Sequence, residues 1–132
     1  IPHYLCGQCR GLHLPQLQQR DGVIEARLFV EDFGLSLVTE LDLRATALLP
    51  ATADVGLMNL DFPLLKIFPD VIDGELPKLV GEGILLTGAG VTFEQFRYFV
   101  RETIKQTEAF VETCRQRDFL VAPEPSPNAN LH

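Results

Sequence analysis

The side chains with most scope for chemistry lie near the start of the chain, where His3, Cys6, Cys9 and His13 form H-x-x-C-x-x-C-x-x-x-H. Thiolates and imidazoles are the usual zinc ligands, and two cysteines two residues apart can also form a dithiol redox pair. The spacing argues against both. Zinc modules commonly set their two ligand pairs about a dozen or more residues apart, so that four vectors converge. Here a strand-like Leu12-His13-Leu14 follows at once, and its pleat is expected to direct His13 away from a metal. A redox pair needs its first thiolate at the amino terminus of a helix, yet Gly7, Gly11 and Pro15 oppose a helix after Cys9. The expectation is two reduced thiols in a tight turn, with no metal and no cofactor. A small thiol or metal sensor built on Cys6 and Cys9 stands as an alternative.

No other constellation converges. Gly81-x-Gly83 and Gly88-x-Gly90 lack both the spacing and the following Lys-Ser or Lys-Thr of a phosphate loop. Asp61, Asp70, Asp73, Glu75 and Glu82 alternate with Lys66 and Lys78, as solvated turns and strand edges do. Ser36 is the one serine before the carboxy-terminal tail; it falls mid-strand, outside any G-x-S-x-G elbow. His132 lies at the end of that tail and completes no triad. No catalytic residue is assigned, and an enzyme is not expected.

The elements that must position these residues are legible from periodicity. Ile24, Ala26, Leu28 and Val30 alternate with Val23, Glu25, Arg27 and Phe29. Leu35, Leu37, Thr39 and Leu41 continue the alternation after Glu31-Asp32-Phe33-Gly34, which predicts a β-hairpin. A shorter strand is expected over Tyr4–Cys6 and Gly11–Leu14, a short helix over Pro50–Asn59, and strands over Leu64–Phe68 and Leu76–Leu86. Gly81 and Gly83 inside the last of these point to a bulge or a close backbone approach. Thr92 and Gln95 form a capping box. After it, Phe93, Phe96, Phe99, Val100, Thr103, Ile104, Thr107, Phe110, Val111 and Cys114 recur at helical spacing as one apolar stripe. This order predicts an α+β fold, helices packed on one antiparallel sheet. Residues 1–121 are expected to form a single domain, and 122–132 a mobile Pro-rich tail.

Length and charge bound the partners. The chain has 132 residues and a formal charge of −7, against nucleic acid or an anionic membrane as the main partner. Its three cysteines, an odd number, fit reduced thiols in a cytoplasmic protein. The longest uncharged stretch, Gly83–Thr92, is too short and glycine-rich to cross a bilayer.

An ordered set of segments resembles a known family. Cys6-x-x-Cys9-x-x-x-His13-Leu14-Pro15, Asp21-Gly22-Val23, Ala47-Leu48-Leu49-Pro50, Leu76-Pro77-Lys78-Leu79-Val80 and Gly90-Val91-Thr92-x-Glu94-Gln95-Phe96-x-x-Phe99-Val100-Arg101 are similar to the enterobacterial YbjN family, which includes AmyR-type regulators. The resemblance implies a sensory-transduction regulator linked to stress responses, motility, exopolysaccharide production and virulence. It also implies a fold like that of class I type III secretion chaperones, assembled as a dimer, and brings no catalytic residues. Members carry a helix before the Cys-x-x-Cys segment, a helix that the sequence as it opens at Ile1 does not contain.

The reading that follows is a non-enzymatic regulator acting through protein partners, with a holder of an unfolded effector segment as a second reading. A homodimer is expected through the central region, where Leu57, Met58, Leu60 and Phe62 crowd more apolar surface than a short helix can hide.

Overall fold

The computed structural model describes residues 1–122. The expected tail, apart from Ala122, and His132 with it, lie outside the described residues. The alternating segments form the expected hairpin, β2 (Val23–Glu31) against β3 (Gly34–Asp42). A glycine is required at its turn: Gly34 has φ 147°, and a Cβ there would lie 2.0 Å from the Leu85 carbonyl oxygen. On the far side of β3 lies β5 (Lys78–Leu86), with β4 (Lys66–Asp70) outside it, while β1 (Leu12–His13) flanks β2. The order is β1-β2-β3-β5-β4, and every neighbouring pair is antiparallel. Pro69 sits within β4, a place open to proline because β4 is an edge strand. An isolated bridge from Tyr4 to His13 lays the amino-terminal segment along β1.

Two helices cover one face of the sheet, giving the α+β architecture expected. They are α2 (Leu48–Asp61) and α3 (Phe93–Gln116). Ala26, Leu28, Leu37, Thr39, Leu41 and Leu79 point towards them and are buried. The reverse face carries the cross-strand ion pairs Arg27–Glu40 and Lys66–Glu82. Gly81 and Gly83 lie where α3 approaches the sheet. A Cβ on Gly81 would meet the Phe110 ring at 3.0 Å, and one on Gly83 the Thr103 methyl at 2.6 Å. Close approach, rather than a bulge, therefore explains both glycines; the β3–β5 register runs unbroken and the bulge falls between Val23 and Glu25.

The capping box forms at the start of α3. The Gln95 N–H donates to Thr92 Oγ1, and the Thr92 N–H donates to Gln95 Oε1. The apolar stripe is buried only from Val100 to Cys114: Phe96 and Phe99 are half-buried, and Phe93 is 71% exposed. Full burial thus starts about two turns later than the periodicity suggests: Phe96 and Phe99 pack against the second core cluster (Leu14, Leu17, Leu37, Ile104) only from its rim, and Phe93 faces solvent. A short helix, α1 (Pro15–Gln18), was not anticipated; Pro15 at its first turn starts it and Leu17 anchors it in that cluster.

The four residues grouped as a dimer surface divide. Met58 is fully enclosed, with Cys114 Sγ 4.0 Å from its sulfur, and Phe62 packs edge-on against Phe110 at 6.0 Å. Met58 is therefore core, a correction that follows from the way α2 rolls it under α3. Leu57 and Leu60 point outward, 50% and 75% exposed. Among the described residues no helix is long and apolar enough to cross a membrane.

Candidate functional site

The loop between Tyr4 and His13 brings three of the four thiol and imidazole residues together. Cys6 Sγ lies 3.4 Å from Cys9 Sγ, and Cys9 Sγ lies 3.3 Å from His13 Nε2. All three donor atoms fall within 4.8 Å of one another. His3 stays apart, its Nδ1 2.9 Å from the Ile1 carbonyl oxygen. The pleat argument that turned His13 away is thus reversed. In β1 the side chains of Leu12 and Leu14 take the core side, which leaves His13 on the opposite face, where Cys9 returns four residues earlier.

The cluster is held by Tyr4 of the amino-terminal segment and by neighbours from α1 and β2. His13 is 5% exposed, and the Tyr4 ring stacks on it at 4.6 Å and 7°. His13 Nδ1 lies 3.2 Å from Glu25 Oε2 on β2 and 3.0 Å from Gln18 Nε2 of α1, and Gln18 in turn donates to Glu25 Oε2 at 2.9 Å. Gly7, with φ 79°, turns the chain so that the Gln8 N–H points at Cys6 Sγ, 3.4 Å away. That donor, aided by Cys9 and His13, brings the Cys6 thiol down to about 6. Cys114 is the opposite case, its thiol pushed up to about 12 by burial.

A second feature lies three strands away, at the outer edge of β5. Strand β4 covers β5 only as far as the Lys66–Glu82 pair, so among the described residues Ile84–Leu86 have no strand partner on that side. Beside this edge is an open cavity of about 400 Å³, walled by Leu64, Ile84, Leu86, Val91, Tyr98 and Phe99. Leu86 and Tyr98 are 72% and 60% exposed. The sequence marked none of this as a site; its one signal was apolar residues persisting on both faces of the end of β5. The acidic residues Asp70, Asp73, Glu75 and Glu82 lie on strands and the β4–β5 connection, whereas Asp61, expected outside a helix, ends α2. Ser36 is buried in mid-strand.

Comparison with known proteins agrees with this architecture. Residues 1–116 match the model of the YbjN family, described as "Putative bacterial sensory transduction regulator". The chain is 32% identical over 126 residues to "Uncharacterized protein YbjN" of Escherichia coli K12, covering 96% of this chain and 80% of that protein. The Shigella flexneri protein of the same description matches equally well. The crystal structure of YbjN, "a putative transcription regulator from E. coli", superposes with a TM-score of 0.88 at 33% identity, over 92% of this chain and 86% of that one. A family match over residues 1–116, 32% identity over most of both chains and a common fold make the chain a member of the YbjN family.

Proposed function

We propose that the protein is a non-enzymatic, cytoplasmic regulator that works by protein–protein contact, in the stress, motility, exopolysaccharide and virulence responses that the family resemblance implies. The observation that carries this reading is the open edge of β5 beside its apolar cavity. An unpaired strand edge offers backbone donors and acceptors to an added strand, and alternate apolar side chains of that strand can enter the adjoining cavity. The partner that fits is an extended segment with alternating apolar residues. The family's description as a regulator, and the scatter of carboxylates and Ser36 away from any common point, support the non-enzymatic part.

The test is a pull-down from native cells with wild type, Leu86→Glu and Val30→Glu. Leu86 lines the cavity, whereas Val30 is an exposed apolar control at the hairpin tip. A partner retained by wild type and Val30→Glu and lost by Leu86→Glu, with unchanged circular dichroism, supports the reading. A partner retained equally by all three removes the β5 edge as the docking site.

A further inference from the structure

We propose that Cys6, Cys9 and His13 form a zinc site, with three protein ligands and a fourth position open to solvent. Zn–S bonds of about 2.3 Å and Zn–N bonds of about 2.0 Å give tetrahedral S···S edges of about 3.8 Å and S···N edges of about 3.5 Å. The corresponding distances here are 3.4 Å for Cys6–Cys9 and 3.3 Å for Cys9–His13. The third edge, from Cys6 to His13, is no longer than 4.8 Å and closes by rotation of the exposed Cys6. Two thiolates and a neutral imidazole also balance the charge of a divalent zinc ion.

The surroundings supply the independent observation. A zinc-bound histidine ordinarily donates its second ring N–H to a carboxylate or carbonyl, which fixes the tautomer and aims the other nitrogen at the metal. Glu25 Oε2 stands 3.2 Å from His13 Nδ1 for that purpose; the Gln18 amide nitrogen, 2.9 Å from the same oxygen and 3.0 Å from Nδ1, must turn aside from Nδ1 when its N–H donates to Glu25. With Nδ1–H donating to Glu25, Nε2 presents its lone pair to the pocket shared with Cys9. His13 is itself nearly fully buried and stacked by Tyr4, so its ring is held in place before any metal arrives. The Gln8 N–H directed at Cys6 Sγ stabilises a coordinated thiolate in the same way.

The site also has a structural consequence. Ile1 and His3, in the segment ahead of the cluster, form one wall of a cavity of about 500 Å³ whose opposite wall is Phe93, Phe96 and Val100 of α3. Zinc tying Cys6 and Cys9 to His13 would hold that wall against β1. The proposal is independent of the β5 edge, which lies on the other side of the sheet.

The test uses the full chain, reduced with a non-thiol phosphine, stripped with chelator and titrated with Zn(II) against a chromophoric chelator, and in parallel with Co(II). One zinc per chain is expected, together with thiolate-to-cobalt charge-transfer absorption in the near ultraviolet. Cys6→Ser, at an exposed position that the core does not depend on, removes one of the two thiolates, so it weakens zinc binding and at least halves that absorption while circular dichroism stays unchanged. Glu25→Gln weakens zinc binding by about 10- to 100-fold while retaining both thiolates. Trypsin cleavage after Arg10, an exposed residue between Cys9 and His13, slows when zinc is bound. Cys6→Ser binding zinc as tightly as wild type, or wild type giving no cobalt–thiolate absorption, overturns the proposal.

Discussion

Cys6 and Cys114 have the same chemistry in opposite surroundings. Cys6 is exposed and receives the Gln8 N–H, which favours its thiolate; Cys114 is enclosed beside Met58, where burial disfavours charge. Thiolate is the form that alkylates. In the metal-free, reduced protein, iodoacetamide is therefore expected to label Cys6 with a rate that rises through pH of about 6. Cys114 is expected to react only after denaturant unfolds the chain. Peptide mapping after timed quenching checks both, and labelling of native Cys114 at the rate of Cys6 would contradict the packing of α2 on α3. The same contrast shows what was legible at this scale. The thiol and imidazole types of Cys6, Cys9 and His13 were plain from the sequence, but their convergence was not. It depends on the Tyr4–His13 bridge, a contact between residues that no periodicity links. Glu25 was likewise unreadable as a partner of His13, since it reaches the site through strand pairing.

For the helices and strands, burial along α3 sets the expected cost of truncation. Phe110 is fully buried against Gly81, so Phe110→Ala is expected to lose about 3–5 kcal/mol. Phe96 is half-buried and loses less, while Phe93, 71% exposed, stays within about 0.5 kcal/mol of wild type. Urea midpoints that fail to fall in this order would mean that α3 sits differently on the sheet. A gain is expected at Thr39: it is fully buried on the core face of β3, and its hydroxyl has no hydrogen-bond partner among the described residues. Thr39→Val keeps the shape, removes an orphaned hydroxyl and should raise stability by about 1–3 kcal/mol, read as a higher urea midpoint. The hairpin, the capped helix and the antiparallel order were legible because period-two and period-3.6 patterns are local. Where burial begins on α3 was not, because it depends on how far the sheet extends beneath the helix. Pro69 similarly looked like the end of a strand until the topology made β4 an edge.

At the scale of the whole molecule, α2 presents an apolar face that no other element covers among the described residues. Only Ala51 and Met58 of that helix are buried, and Leu49, Leu57 and Leu60 are 81%, 50% and 75% exposed. At about 3.6 residues per turn, Leu49 and Leu60 are three turns apart on nearly the same line. Ala53 and Gly56 lie between them, and a Cβ added at Gly56 would meet nothing within 4 Å. Small residues flanked by leucines let a second helix approach closely, and a twofold copy of α2 is the simplest occupant. Each leucine so covered contributes up to about 1.5–3 kcal/mol. Opposing this is the charge of −7 that each chain brings, although Asp54, beside the stripe, is already paired with Arg117 at 2.9 Å. Added salt should therefore strengthen association by screening the residual repulsion. Light scattering at micromolar concentration is expected to give twice the 14.7 kDa chain mass for wild type, more firmly at higher salt. Leu60→Asp should give the single-chain mass with native circular dichroism, whereas Met58→Asp should unfold the chain, since it places a charge in the core. A wild-type mass of 14.7 kDa across the salt series would show that α2 faces water. A dimer unaffected by Leu60→Asp would place the interface on another surface.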